Sequence, residues 1–199
     1  TRRGRLGRYL FTIVGYQLLW IGVIGVFAAL FYVAPPFRLA HLGIGELLVG
    51  LGFGPLVVLG TYYVLTLRFD WGPVFLSAAM GLLVAAILWI NEFPDVEADL
   101  SVGKRTLMAR LGYVRSISVY FYLVALAYAS VFLAVLTAQV SVTALLVFLT
   151  LPGAAKAYRH LEAHYADPMA LIPANAGTVM LTVQFGILAI VGVALGLVL

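Results

Sequence analysis

The sequence predicts an all-α fold, a polytopic transmembrane bundle of about six spanning helices. Three observations carry that expectation. Hydrophobic residues make up 64% of the 199 and charged residues only 10%, with a mean hydropathy of +1.09, so the chain is built for lipid as its solvent. Its apolar residues come in runs of about 20, the length that carries a helix across a hydrocarbon core. Inside lipid every backbone polar group must pair within the protein, which for single runs of this length means helices.

The first run, 9–33, follows TRRGRLGRYLF. That charged start resembles a signal peptide, but the apolar stretch behind it is longer than 20 residues and shows no small-residue cleavage site, so it reads as a retained span. Pro35-Pro36 ends it. The second run, 44–66, is rich in glycine at its start, with Gly43, Gly45, Gly50, Gly52 and Gly54. No strand precedes them, so close helix packing is the better reading than a dinucleotide loop. Arg68 and Asp70 mark the next break and read as a solvated pair. The third run, 72–91, leads into the polar stretch 92–113. Runs 114–138, 141–158 and 174–198 complete the series, separated by Gln139 and Ser141 and by 159–173 with Asp167-Pro168. Within 92–113, Thr106 to Gly112 has the pattern of a short helix stopped by Gly112, a candidate lid. The whole reads as one domain, 1–199.

A net charge of +4 would suggest nucleic acid in a soluble protein. Here the charges sit at the ends of apolar runs as orientation signals, and no nucleic-acid partner is expected. The absence of cysteine excludes a disulfide framework and a thiolate metal site. Loops 34–43, 92–113 and 159–173 fall on one side with Arg38, Lys104, Arg105, Arg110, Arg115, Lys156 and Arg159, so that side is expected to be cytoplasmic. Arg2, Arg3, Arg5, Arg8 and Arg68 fall on the other and oppose the assignment. His160 and His164 flank Glu162 without forming H-E-x-x-H, so they read, like His41, as interfacial histidines rather than zinc ligands.

Most of the chemistry lies in NEFPDVEADLSVGKRTL, 91–107. Asn91, Asp95 and Asp99 stand at i, i+4 and i+8, which on a helix is one face with neighbours about 6 Å apart between Cβ atoms. Such a face offers oxygen ligands to a hard cation. Magnesium takes one or two carboxylates and completes its shell with water and substrate phosphates, and Lys104 and Arg105 follow closely enough to meet the same phosphates. Spacing alone leaves a second reading open, a juxtamembrane loop whose charges are merely solvated.

This run resembles the second aspartate-rich motif of the UbiA superfamily of intramembrane aromatic prenyltransferases, N-x-x-x-D-x-x-x-D followed by Gly-Lys-Arg-Thr-Leu and a Leu-Gly, here ending at Leu111 and Gly112. A second block holds Tyr32, Pro35, Pro36, Arg38, Gly43, Gly45, Glu46 and the segment GFGPLVVLGTYYV, 52–64. It is most similar to the branch that prenylates 1,4-dihydroxy-2-naphthoate on the way to menaquinone. The resemblance covers the chain from about Tyr32 onward and the C-terminal two-thirds of the family pattern.

The resemblance implies part of a nine-helix bundle in the cell membrane, with active-site loops on the cytoplasmic side and two aspartate motifs facing across a central cavity. It implies Mg2+ as cofactor, and a polyprenyl diphosphate and an aromatic acceptor as substrates. Asp95 and Asp99 would be the catalytic, metal-holding carboxylates, with Asn91 as a supporting ligand. Lys104, Arg105 and Arg38 would clamp the diphosphate, and Tyr32 would hold it or shield the allylic cation. The larger departure from the pattern is catalytic. Its four aspartates are Asp70, Asp95, Asp99 and Asp167, and none forms the first motif. The expectation is therefore a chain lacking the family's N-terminal helices, inactive alone, or a half-site completed by those helices as a separate chain. A polytopic transporter or scaffold is the rival from another class, but the spans carry almost no charge apart from Glu46, which favours the enzyme.

Overall fold

The computed structural model describes residues 15, 17–36, 39, 45–101, 103 and 106–199. Lys104, Arg105, Arg38, His41 and Gly43 lie outside the described residues, as do Arg2, Arg3, Arg5 and Arg8.

Among the described residues the fold is entirely helical: α1 (Gln17–Val33), α2 (Gly45–Thr66), α3 (Trp71–Asn91), α4 (Val96–Ser101), α5 (Leu107–Leu111), α6 (Tyr113–Leu136), α7 (Leu151–His164) and α8 (Ile172–Gly196). Four of these, α2, α3, α6 and α8, are long and apolar enough to cross a membrane, and α1 adds a shorter apolar helix. The chain is a multi-pass helical bundle. The expected fifth span opens differently from the others, as a 3-10 stretch over Val142–Thr150 that runs into α7. Ser141 caps it by accepting the Thr143 N–H, and the Thr143 hydroxyl donates to the Gly192 carbonyl of α8 at 2.6 Å.

α3 is the central helix, packed on α2, α6 and α8. Its fully buried residues include Ala79, Leu83, Ala86 and Ile90, which meet Tyr120, Ala127 and Val131 of α6 and Leu181 and Phe185 of α8 in a single core. Small residues set the approach of α2. A Cβ on Gly50 would lie 2.8 Å from the Gly81 carbonyl oxygen, and one on Gly54 would run into the Gly81 backbone. Gly50 and Gly54 are thus packing glycines, as expected; a Cβ on Gly52 would meet nothing within 4 Å. α2 also widens to a π-helical turn over Gly52–Leu56. Pro55 lies inside it, and a proline has no N–H to return to the helix and crowds the preceding turn, which the wider turn accommodates.

Hydroxyl and indole groups make several polar ties across the interior. Trp89 Nε1–H donates to the Ser116 carbonyl at 2.8 Å, tying the end of α3 to the start of α6. Tyr120 and Thr178 share a hydrogen bond at 2.7 Å between α6 and α8, and Tyr128 and Thr150 share one at 2.6 Å. At the opposite end of the bundle, Asp70 accepts from the Tyr62 hydroxyl, so its contact is an aromatic hydroxyl rather than simple solvation beside Arg68.

Candidate active site

α3 stops at Asn91 because Pro94 follows three residues later. Pro94 has no N–H to give the Ile90 carbonyl, and its ring disfavours helical backbone at Phe93. The chain crosses 92–95 on tighter bonds: Glu92 N–H to Trp89 O at 3.3 Å, Phe93 N–H to Ile90 O at 3.4 Å, and Asp95 N–H to Glu92 O at 3.1 Å. Regular spacing resumes when Asp99 N–H donates to Asp95 O at 2.8 Å in α4. The expected face is therefore not carried by one continuous helix. Asn91 closes α3, Asp95 stands in the turn, and Asp99 is on α4.

Phe93 anchors this turn. It is 2% exposed and packs towards Tyr113, at 6.0 Å between ring centroids, which in turn meets Tyr165 at 5.5 Å. With Phe93 turned into the core, Asn91 and Asp95 are left exposed and Asp99 half-buried. Asn91 has a partner that sequence reasoning missed. Asn175, in the first turn of α8, donates from Nδ2 to Asn91 Oδ1 at 2.8 Å.

After α4 the chain turns at Gly103, whose φ of +74° is left-handed backbone open to glycine at no steric cost. Thr106 then caps α5: it is 1% exposed, and its hydroxyl accepts the Ala109 N–H at 3.3 Å. Gly112, with φ of +76°, ends α5 as expected. Leu107 of this short helix reaches a cavity of about 440 Å³ between α2, α3 and α6, whose wall also holds Glu46, Gly81, Trp89 and Val119. That size lies in the range of small-molecule sites. Glu46, 8% exposed, is its acidic residue. Tyr32 lies elsewhere, at the end of α1, lining a groove of about 410 Å³ between α1 and α2 with Gly25 and Leu48.

Two carboxylates and an amide offer only hard oxygen donors. Among the described residues no group of three or more His, Cys, Asp or Glu converges on one point. A closed protein cage is thus not formed by these residues, whereas an open site sharing magnesium with phosphate fits them. The histidines do other work. His160 Nε2 bonds the Ala170 carbonyl at 2.7 Å, His164 Nδ1 bonds the His160 carbonyl at 3.0 Å, and the two rings stack at 4.3 Å.

The family model described as the UbiA prenyltransferase family matches residues 6–174. The chain belongs to that family. It is 35% identical over 148 residues to the 2-carboxy-1,4-naphthoquinone phytyltransferase of Synechocystis, covering 74% of this chain and 48% of that one. It is 28% identical over 187 residues to the 1,4-dihydroxy-2-naphthoate octaprenyltransferase of Bacillus subtilis, covering 94% and 60%. With the Haemophilus influenzae protein of the same description it shares 30% over 178 residues, covering 88% and 57%. The chain spans about half the length of these relatives. No solved structure matches it. The UbiA match takes in Asn91, Asp95 and Asp99.

Proposed function

We propose that this UbiA protein transfers a prenyl chain from a polyprenyl diphosphate to a naphthoate-type aromatic acceptor, in the making of menaquinone or a related lipoquinone. The observation that carries the reading is the Asn91, Asp95 and Asp99 run at the end of central helix α3, beside an apolar cavity reached by Trp89 and Leu107. The acceptor class comes from the relatives, two described as acting on 1,4-dihydroxy-2-naphthoate and one on 2-carboxy-1,4-naphthoquinone.

In the reaction, the allylic C–O bond breaks and its electron pair leaves with the diphosphate. The prenyl carbon bonds to a ring carbon of the acceptor, which gives up the substituent it carried as a proton or as carbon dioxide. Asp95 and Asp99 would hold Mg2+, with Asn91 alongside. Bound there, the ion would supply positive charge against the departing diphosphate. Lys104, Arg105 and Arg38 would serve as cations for its phosphate oxygens. Tyr32 lines the separate groove between α1 and α2, so its assignment to the diphosphate end, or to shielding the cation with its ring face, rests on the family resemblance alone. The cavity wall of Leu47, Leu51, Leu82 and Leu123 suits an apolar chain and keeps water from an allylic cation. The loops bearing the site are assigned to the cytoplasmic side, because their basic residues follow the positive-inside bias.

The test uses membranes from cells expressing the natural protein that contains these residues, given polyprenyl diphosphate, 1,4-dihydroxy-2-naphthoate and magnesium. Prenylated naphthoquinol is the expected extract, lost on chelation. No product at any magnesium concentration, or product only with 4-hydroxybenzoate in place of the naphthoate, would overturn the reading.

A further inference from the structure

We propose that Asn175 is a positioning residue for the diphosphate end of the site, holding the Asn91 amide across the gap between α8 and α3. This rests on the prenyl-transfer reading above. Asn91 is exposed at the last position of its helix, where an amide otherwise samples several side-chain wells. Asn175, 84 positions later, fixes it through the 2.8 Å bond from Nδ2 to Asn91 Oδ1.

The support behind that bond is rigid. Asn175 N–H donates to the carbonyl of Leu171 at 3.2 Å, and Leu171, Ala174 and Thr178 are all fully buried. Thr178, one turn further, is held by Tyr120 at 2.7 Å. The donor is therefore carried on backbone that packing has already placed. An amide oxygen has two lone pairs. One on Asn91 Oδ1 is taken by Asn175, leaving the other and both Nδ2 hydrogens, now in a fixed plane, for a hard cation or a phosphate oxygen.

A second observation points the same way. Asn175 Oδ1 is buried with no hydrogen-bond partner among the described residues, an arrangement that is costly in a folded protein. The neighbours Ile172, Pro173, Ala174 and Ala176 are apolar, and a small apolar side chain at 175 would avoid the cost. A residue serving packing alone does not explain that polar group; a donor needed by Asn91 does.

The experiment is a double-mutant cycle in the protein at its natural length, with Asn91→Ala, Asn175→Ala and both together. Asn175→Ala is expected to raise the KM for prenyl diphosphate by about three- to tenfold, the worth of one net amide hydrogen bond, and to leave the acceptor KM unchanged. A readout free of turnover accompanies it: the rise in unfolding temperature produced by magnesium with inorganic pyrophosphate should shrink in Asn175→Ala. In the double variant neither quantity should be worse than in Asn91→Ala, because Asn175 acts through Asn91. Asn175→Ser, polar but too short to span the gap, gives the same reading if the alanine variant fails to accumulate. Effects of the two single changes that multiply, or an acceptor KM that moves alone, would overturn the positioning role while the wild type still transfers. A wild type that transfers nothing would overturn the prenyl-transfer reading and this role with it.

Discussion

Gly50 and Gly81 face each other so closely that a Cβ added to Gly81 would stand 2.5 Å from the Gly50 carbonyl oxygen. Both glycines also line the cavity beside the polar run. The contact therefore fixes how far α2 stands from α3 and, with it, the width of the cavity.

Gly81→Ala must push backbone away from backbone, since no flexible side chain is there to yield. The expected cost is about 1–3 kcal/mol of stability, the usual range for overpacking, with a fall in turnover as the cavity changes shape. Gly22→Ala is the control. A Cβ there meets nothing within 4 Å, and a helical Gly→Ala change of this kind is neutral or stabilising. Thermal unfolding in detergent separates the two, and equal behaviour would remove the close-packing argument.

Asp95→Asn and Asp99→Asn, made separately in the natural protein, should each lower magnesium-dependent transfer by at least about 10²–10³-fold, the loss typical when one transition-state electrostatic contact is removed. Membrane insertion should be intact, because Asp95 is exposed and Asp99 only half-buried, so little packing is lost. Asn91→Ala should cost less than either. Near-native turnover in Asp99→Asn would refute its assignment as a metal ligand.

The long helices were legible because apolar runs and their breakers decide them locally. The run 72–91 appears as Trp71–Asn91, and 114–138 as Tyr113–Leu136. The short helix before Gly112 was legible from its glycine stop, and the structure adds the Thr106 cap at its other end. What periodicity could not show was local winding. Pro94 splits a run whose i, i+4, i+8 spacing suggested one face, Pro55 sits in a π turn, and the fifth span begins as a 3-10 stretch. The pairing of Asn91 with Asn175 was hidden for a different reason. It joins positions 84 residues apart, and only the packing of α8 on α3 brings them together; a lone Asn within a membrane helix was the available signal.

Lys104 and Arg105 follow the left-handed turn at Gly103 and precede the Thr106 cap. Lys104→Ala and Arg105→Ala are each expected to raise the KM for prenyl diphosphate more than that for the aromatic acceptor, because the pair stands directly after the aspartate run, where the proposed diphosphate would need cations. Steady-state kinetics with each substrate varied in turn decides it. A change confined to the acceptor would reassign the pair to the acceptor side of the site.

Thr106 is the residue on which α5, the candidate lid, depends. α5 has only five residues, Leu107–Leu111, far below the length at which a helix holds itself together in isolation. Its order comes from buried Met108, which is 1% exposed, and from the Thr106 hydroxyl that takes the Ala109 N–H at 3.3 Å. Thr106→Ala removes that acceptor, a loss of about 1 kcal/mol for a typical N-cap, or roughly fivefold in the opening equilibrium of the segment. Amide hydrogen exchange over 107–112 should quicken by about that factor, while the exchange of α3 and α6 stays unchanged. Thr106→Ser keeps the oxygen and should exchange like the wild type. Because Leu107 lines the cavity, the alanine variant should also lose turnover and regain it in the serine variant. Faster exchange with undiminished transfer would show that α5 is an ordered connector and no lid.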